Sequence, residues 1–216
     1  MPMFRDRIAA SKPLVFLLCL VPLAALVWDT IQNELGTDPV AQLEHRTGLW
    51  ALRLLLATLA ITPLRRVTDW NKAVRYRRML GLFAFFYVNV HFAVYLFIDL
   101  GGYSADIVEQ IAKKPYITVG FTAWLLLLPL AFSSTQKAMR RLGRRWGQLH
   151  KLVYAIALLA LLHFLWLVKA DKREPLAYIA VFALLMLWRL PWKKLSSPDR
   201  RPSPPPRTHA PQTQSD

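Results

Sequence analysis

Four histidines are the side chains of this sequence best suited to bind a metal. His45, His91, His150 and His163 lie within or beside long apolar segments. An ionisable group inside a membrane-spanning segment is costly, so by default it faces the interior of the helix bundle and has a function. Neutral imidazole is also the commonest protein ligand for metal ions. These four residues are therefore the starting point for predicting a chemical function.

The apolar segments around the histidines indicate an all-α, polytopic membrane protein. The chain has 216 residues, of which 55% are hydrophobic, and it contains eight tryptophans. A helix of about 20 apolar residues crosses the hydrocarbon core of a bilayer, which is roughly 30 Å thick. Six segments approach that length, at residues 13–28, 48–64, 79–98, 115–132, 147–168 and 175–190. They predict a six-helix transmembrane bundle.

The distribution of lysine and arginine predicts the orientation of this bundle. Twenty basic residues lie before the first segment, in the second and fourth connections, and at or beyond the end of the last segment, where Arg189 is the first of them, against six in the remaining connections. Cytoplasmic loops carry such an excess, so both termini are expected in the cytoplasm. This placement explains the net charge of +15 without a nucleic-acid partner. The same basic face suits anionic membrane lipid.

Three regions follow from this reading of the chain. Residues 1–12 form a cytoplasmic N-terminus, and residues 13–190 form the six-span domain. Residues 191–216 are polar and rich in proline, which predicts a disordered cytoplasmic tail. We do not expect His209, within that tail, to be a ligand.

Depth in the membrane groups His91 with His163. Both predicted helices run outward from the cytoplasm. His91 lies 13 residues beyond Arg78, or roughly 20 Å, and His163 lies 17 residues beyond Trp146, or roughly 26 Å. Two imidazoles at similar depth, with no thiolate or carboxylate beside them, fit the axial positions of haem b better than a bare ion. The alternative is a pair of buried histidines that each bond a neighbouring helix.

His150 does not join this pair on a straight helix. It precedes His163 by 13 residues, so the two side chains point roughly 140° apart. Either the helix is locally distorted or the two imidazoles serve different sites. A second haem with one unusual ligand, a flavin contact and a capping interaction all remain open for His150.

Several other kinds of chemistry are excluded. The single cysteine, Cys19, cannot form an internal disulfide, an iron–sulfur centre or a zinc finger. The sequence has no P-loop and no glycine-rich dinucleotide motif, which argues against ATP hydrolysis and nicotinamide binding on this chain. We also find no internal repeat.

Four segments carry a resemblance to a known family. They read LEHRTGLWALRLLLATLAITPLRR, RYRRMLGLFAFFYVNVHFAVYLF, AFSSTQKAMRRLGRRWGQLHKLVY and LLHFLWLVKAD. In order and spacing they resemble the MsrQ (YedZ) family, the haem-binding membrane subunits of periplasmic methionine sulfoxide reductase systems. That family lies within the wider group of ferric-reductase-like transmembrane domains. The resemblance covers residues 13–190 and leaves out the tail.

The resemblance implies an electron-transfer subunit in the bacterial inner membrane. It would take electrons from the quinone pool or a cytoplasmic flavin reductase and pass them to a periplasmic molybdopterin enzyme that repairs oxidised proteins. Sulfoxide reduction itself would belong to that partner. The family is described with haem b and FMN, and His91, His150 and His163 match its histidine positions. The wider group has two histidines on the third span, whereas this chain has only His91 there, a departure from a two-haem, four-histidine arrangement.

Further candidate contacts lie at the two ends of the bundle. Arg53 is a candidate partner for a haem propionate, and His45 for a quinone or for the docking rim of the partner protein. Alternatively, Arg53 extends outward to water and His45 simply lies in the membrane interface. An anionic flavin phosphate favours the cytoplasmic basic residues. The candidates are Arg77, Arg78, Arg144 and Arg145.

Two rival functions remain open from the sequence. A transmembrane ferric reductase would share the haem pair but reduce ferric chelates without a protein partner. It usually carries its own flavin and nicotinamide domain, for which this chain has no room. A non-redox scaffold or transporter would use the histidines structurally or as proton carriers, and would bind no chromophore.

Overall fold

The computed structural model describes residues 3–102 and 104–189, and the side chains of residues 11–102 and 108–189. The predicted disordered tail at residues 191–216, with His209, lies outside the described residues, as do Leu190 and the first two residues of the predicted N-terminal region.

Helices make up almost all of the described chain, which contains no strand. A 3-10 turn, Asn71–Ala73, precedes the third helix, and a π-helical turn, Tyr95–Asp99, extends it. The α-helices are α1 (Met3–Ile31), α2 (Pro39–Thr68), α3 (Val74–Val94), α4 (Ser104–Lys113), α5 (Pro115–Phe132), α6 (Gln136–Leu142), α7 (Arg144–Leu149), α8 (Leu152–Leu167) and α9 (Arg173–Leu187). The prediction of an all-α protein is confirmed.

Five stretches of the described chain are long and apolar enough to cross a membrane. They are Ser11–Ile31, Pro39–Thr68, Asn71–Asp99, Pro115–Phe132 and Arg144–Leu167. The sixth predicted span corresponds to α9, whose 15 residues extend only about 23 Å against a core of roughly 30 Å. A multi-pass membrane protein is supported, and the sixth crossing stays a prediction.

Local signals explain where α2 begins and how it meets α3. Asp38 caps the helix, since its side chain accepts a hydrogen bond from the Ala41 amide at 3.0 Å, and Pro39 occupies the first turn, where its missing N–H costs nothing. The helix therefore begins ahead of the predicted residue 48 and includes His45. It ends at Thr68, and the next residue, Asp69, has a left-handed backbone (φ 51°) that reverses the chain into the 3-10 turn and α3.

The core lies where α2, α3, α5 and α8 meet. Leu59, Tyr87, Ala157 and Leu161 have at most 1% of their surface exposed. The helix pairs α2–α3 and α5–α8 make the most extensive contacts, while α1 and α9 pack on the outside. Large apolar side chains of α1 face outward, as Leu17 does with 61% of its surface exposed, and this suits a helix surrounded by lipid.

Tyr87 fastens α1 to this core. Its hydroxyl donates to the Cys19 carbonyl at 2.8 Å and accepts from the Leu23 amide at 3.1 Å. These two backbone groups lie one helical turn apart, next to Pro22. A neighbouring helix that satisfies backbone groups beside a proline is what makes proline tolerable inside a membrane helix.

Candidate functional site

A cavity opens between α2, α3, α5 and α8. His91, on the last turn of α3, and His163, near the end of α8, line it together with apolar side chains such as Leu52, Ala84 and Leu127. The packed helices that carry the two histidines thus bring both imidazoles to one shared cavity, in agreement with their similar predicted depth.

The two imidazoles face each other across this cavity. Their ring centroids are 6.3 Å apart and their planes are 76° from parallel. Two iron–nitrogen bonds of about 2 Å on opposite sides of one iron, plus roughly 1 Å from each nitrogen to its ring centre, place the centroids about 6 Å apart. The observed separation therefore fits two axial ligands of one haem iron.

Hydrogen bonds orient each imidazole. His91 Nδ1 lies 2.9 Å from the Glu44 carbonyl oxygen, and His163 Nδ1 lies 2.7 Å from the Tyr116 carbonyl oxygen. A carbonyl oxygen only accepts, so each Nδ1 carries the proton and each Nε2 keeps its lone pair. Neither Nε2 has a hydrogen bond within the part of the chain that the structure describes. This is the state in which a metal-binding histidine is commonly held.

Two glycines that the sequence analysis did not select lie directly against these rings. A Cβ on Gly120 would lie 2.6 Å from His163 Nδ1, and a Cβ on Gly48 would lie 3.3 Å from His91 Nδ1. Each glycine follows, by one helical turn, the residue whose carbonyl binds the histidine. In both cases the histidine comes 47 positions after that carbonyl residue. This repeated spacing is the sequence signal that could have found them.

No group of three or more metal-binding side chains occurs among the described residues. A bare metal ion would need three or four such ligands, whereas a haem iron receives four nitrogens from its own macrocycle and needs only axial ligands from the protein. Two facing histidines that belong to no such group among the described residues thus suit a haem better than a free ion.

One end of the cavity, here called the polar end, is formed by Glu44, Tyr95, Asp99, Lys114 and Tyr116. Glu44 Oε1 and the Tyr95 hydroxyl are buried and have no hydrogen-bond partner among the described residues. The π-helical turn Tyr95–Asp99 carries the side chains of Tyr95 and Asp99, which both line the cavity. Such turns often occur at functional sites. The sequence alone did not indicate this cluster.

His45 lines the cavity, whereas Arg53 does not. His45 Nε2 lies 3.4 Å from Glu174 Oε2 on α9. Arg53 Nε donates to the Tyr178 hydroxyl at 2.7 Å, and its guanidinium lies 5.0 Å from the centre of the Trp50 ring. The structure therefore does not bring Arg53 together with the histidine pair, and it gives Arg53 a different partner from the predicted propionate.

His150 lies apart from the pair, where α7 ends and α8 begins. The two helices are interrupted at residues 150–151, which is the local distortion that the angular spacing left open. His150 stacks on Trp146 with ring centroids 4.0 Å apart, and its Nδ1 lies 3.1 Å from the Trp146 carbonyl oxygen. It does not line the cavity of His91 and His163.

The four arginines predicted to bind a flavin phosphate lie near the starts of two helices, and none of them lines the cavity. Arg77 and Arg78 are in the first turns of α3, and Arg144 and Arg145 begin α7. Arg77 is near enough to His150 to interact with it electrostatically. The other three are exposed and have no ion pair in the described part of the chain.

Comparison with known proteins places these features in a family. The family described as "Ferric reductase like transmembrane component" matches residues 47–161, a range that begins just before Gly48 and ends just before His163. No solved structure matches the chain.

Curated relatives match over nearly the whole chain. The haem-binding subunit MsrQ of a protein-methionine-sulfoxide reductase from Xanthomonas axonopodis pv. citri (strain 306) is 58% identical over 93% of this chain and 96% of the relative. The protein of the same name from Bordetella pertussis (strain Tohama I) is 47% identical over 88% of this chain and 93% of the relative.

Proposed function

The chain belongs to the MsrQ family of haem-binding subunits, within the ferric-reductase-like transmembrane group, and from that premise we propose that it is the haem b subunit of a periplasmic methionine sulfoxide reductase system. It would pass electrons through the inner membrane to a periplasmic molybdopterin-dependent catalytic subunit that reduces oxidised methionines in proteins. The sulfoxide chemistry would take place on that partner.

The facing imidazoles are the observation that carries this proposal. His91 and His163 come from different helices, their rings are separated by 6.3 Å, and each uses Nδ1 for a backbone carbonyl. Haem bound between them would supply one-electron transfer at a potential tuned by its ligands. The protein would hold both Nε2 atoms in place and exclude water with the apolar walls of the cavity.

The polar end suits the polar edge of a haem. The Tyr95 hydroxyl and the Lys114 ammonium can both donate hydrogen bonds to propionate carboxylates. They line the same cavity as the histidines, which Arg53 does not. We therefore assign the propionate contacts to this end of the cavity in place of Arg53. His45, at the rim beside Glu174, remains a candidate contact for a quinone or for the partner protein.

The route of the electrons follows from the proposed orientation. With both termini in the cytoplasm and α9 as a sixth crossing, the histidine pair and the polar end lie toward the periplasm, close to the acceptor. Electrons would enter from the quinone pool or from a cytoplasmic flavin reductase. FMN, which the family resemblance implies, would bind by its phosphate at the basic cytoplasmic ends of α3 and α7, where His150 also lies.

A transmembrane ferric reductase is the second candidate, because the matching family model carries that description. It differs from the first candidate in the terminal acceptor. A ferric reductase would deliver electrons to a small iron chelate at the membrane surface, whereas the proposed subunit requires a protein partner. A scaffold or transporter without a chromophore is the third reading, and it predicts a colourless protein.

A reoxidation assay separates these readings. The purified protein would be reduced under strict exclusion of oxygen, and the α-band of its haem followed after each addition. We expect the band to decay after the periplasmic catalytic subunit is added with methionine sulfoxide, and to persist with the subunit plus unoxidised methionine. Decay with ferric citrate alone would favour the ferric reductase, and a band that persists under all conditions would refute both electron-transfer readings.

A further inference from the structure

Gly120 is packed against the His163 ring more closely than a Cβ would allow, and Gly48 is packed against the His91 ring more closely than most Cβ atoms would be. A Cβ on Gly120 would lie 2.6 Å from His163 Nδ1 and 2.9 Å from Cε1, distances that require the ring to move. A Cβ on Gly48 would lie 3.3 Å from both Nδ1 and Cε1 of His91, which requires a smaller displacement. Each ring is therefore in direct contact with the backbone of the facing helix at a glycine.

The same arrangement occurs twice, and we call it the imidazole cradle. It consists of a carbonyl residue, a glycine one turn later and a histidine on the partner helix. The first cradle is Glu44, Gly48 and His91 on α2 and α3, and the second is Tyr116, Gly120 and His163 on α5 and α8. Two copies on two separate helix pairs show that the contact is a repeated feature of the fold.

Other helical glycines do not have this role. A Cβ on Gly81 of α3 would make an ordinary contact at 3.8 Å with Thr58 Cγ2, and a Cβ on Gly147 of α7 would meet nothing within 4 Å. Glycine inside a helix is destabilising relative to alanine. At Gly48 and Gly120 the contact with an imidazole supplies a reason for accepting that cost.

We propose that Gly48 and Gly120 are positioning residues that set the planes of the two imidazole ligands. This inference rests on the proposed function, in which His91 and His163 hold one haem. A methyl group at residue 120 would push the His163 ring away from α5 and lengthen the Nδ1–H···O=C bond to Tyr116, which is 2.7 Å long. That bond raises the basicity of the ligand, so its loss weakens electron donation to the iron and favours the reduced state.

The test compares four glycine-to-alanine variants of the full chain. Gly120→Ala and Gly48→Ala probe the cradles, and Gly81→Ala and Gly147→Ala are the matched controls. Three readouts are haem content, the midpoint potential and the low-spin ferric EPR signal, which reports the mutual orientation of two axial imidazoles. None of the three depends on catalytic turnover.

We expect the largest change for Gly120→Ala, a smaller change for Gly48→Ala and none for the controls. The potential should rise and the EPR signal should shift in that order. Gly48→Ala requires the His91 ring to move by only a few tenths of an ångström. If Gly120→Ala does not accumulate in the membrane, Gly48→Ala is therefore the variant that tests the proposal.

Two results would contradict the positioning role of the two glycines, and a third would contradict the proposed haem site itself. Haem-loaded Gly120→Ala and Gly48→Ala with wild-type EPR signals and potentials would show that the glycines position nothing. Equal perturbation by Gly81→Ala would show a general effect of alanine. A wild-type protein that binds no haem would instead remove the proposed function on which the inference rests.

Discussion

Lys114 and Asp99 contribute opposite charges to the wall of the cavity. A cation near a haem stabilises the reduced centre, which carries one more negative charge, and an anion destabilises it. We expect Lys114→Gln to lower the midpoint potential and Asp99→Asn to raise it. Each shift should be on the order of 1 kcal/mol, or several tens of millivolts for one electron. A spectroelectrochemical titration of each variant measures it.

Two basic residues serve as controls for that titration. Lys113 neighbours Lys114 in sequence but pairs with Glu109 at 2.5 Å, and Arg53 bonds Tyr178 outside the cavity. Lys113→Gln and Arg53→Leu should leave the potential near that of the wild type. A shift with Arg53→Leu as large as with Lys114→Gln would restore the propionate role that the sequence suggested for Arg53.

The residues of the site differ in how far the sequence could predict them. His91 and His163 were predicted as a pair, because depth along a helix follows from residue number and rise alone. Gly48, Gly120 and Tyr95 were not, because their roles come from contacts between helices, which the spacing within one helix does not encode. The direction of Arg53 around α2 does not follow from its position along the helix, and its side chain bonds Tyr178 outside the cavity.

The attachment of α1 depends on one hydroxyl, and it gives a prediction for a single element. Tyr87→Phe would leave the Cys19 carbonyl and the Leu23 amide of α1 without their shared partner. A buried backbone group that loses its hydrogen bond costs about 1–3 kcal/mol. We expect a lower midpoint of thermal unfolding in detergent and weaker protection of α1 from hydrogen exchange.

Tyr76→Phe is the matched control on the same helix. The Tyr76 hydroxyl bonds the Ser11 side chain at 2.5 Å. Ser11 is at the start of the first span, where water can take the place of the lost hydroxyl. Its effect should be well below that of Tyr87→Phe. Equal stability of the two variants would mean that α1 does not depend on the Tyr87 contact.

The helices themselves were largely predictable, with two instructive exceptions. Apolar length identified all five stretches that are long enough to span. The angle between His150 and His163 left a local distortion open as one of two readings, and the structure has a break between α7 and α8. The start of α2 was placed too late, because its first residues are polar and the cap at Asp38 was overlooked. The last span was predicted from apolar composition over residues 175–190. Its helix, α9, has only 15 residues, which is shorter than the hydrocarbon core that it would have to cross.

The core of the described molecule is formed by two helix pairs, α2–α3 and α5–α8, that each present one imidazole cradle to a shared cavity. This arrangement gives a haem one ligand from each pair, so its binding would hold the pairs together. The sequence showed no internal repeat. The two pairs have in common only the relative positions of a carbonyl residue, a glycine and a histidine, and not a continuous sequence similarity. The folded chain shows what that repeated spacing means.

Membrane orientation is a prediction for the whole molecule, and the chain suits cysteine labelling. Its single cysteine, Cys19, is buried. We expect Lys172→Cys, between α8 and α9, to react with an impermeant maleimide in intact spheroplasts. Lys137→Cys and Lys193→Cys, the latter beyond the described residues, should react only after lysis. A Lys193→Cys variant labelled from outside would show that α9 does not cross the membrane.

The most direct test of the central claim is a reduced-minus-oxidised difference spectrum of the purified protein beside three histidine variants. We predict a b-type α-band in the wild type and its loss in both His91→Ala and His163→Ala, because each removes one axial ligand. His45→Ala, which changes a residue of the same cavity that pairs with Glu174, should keep the band. An α-band that survives either His91→Ala or His163→Ala unchanged, or a wild type that stays colourless after reconstitution with haem, would contradict the account.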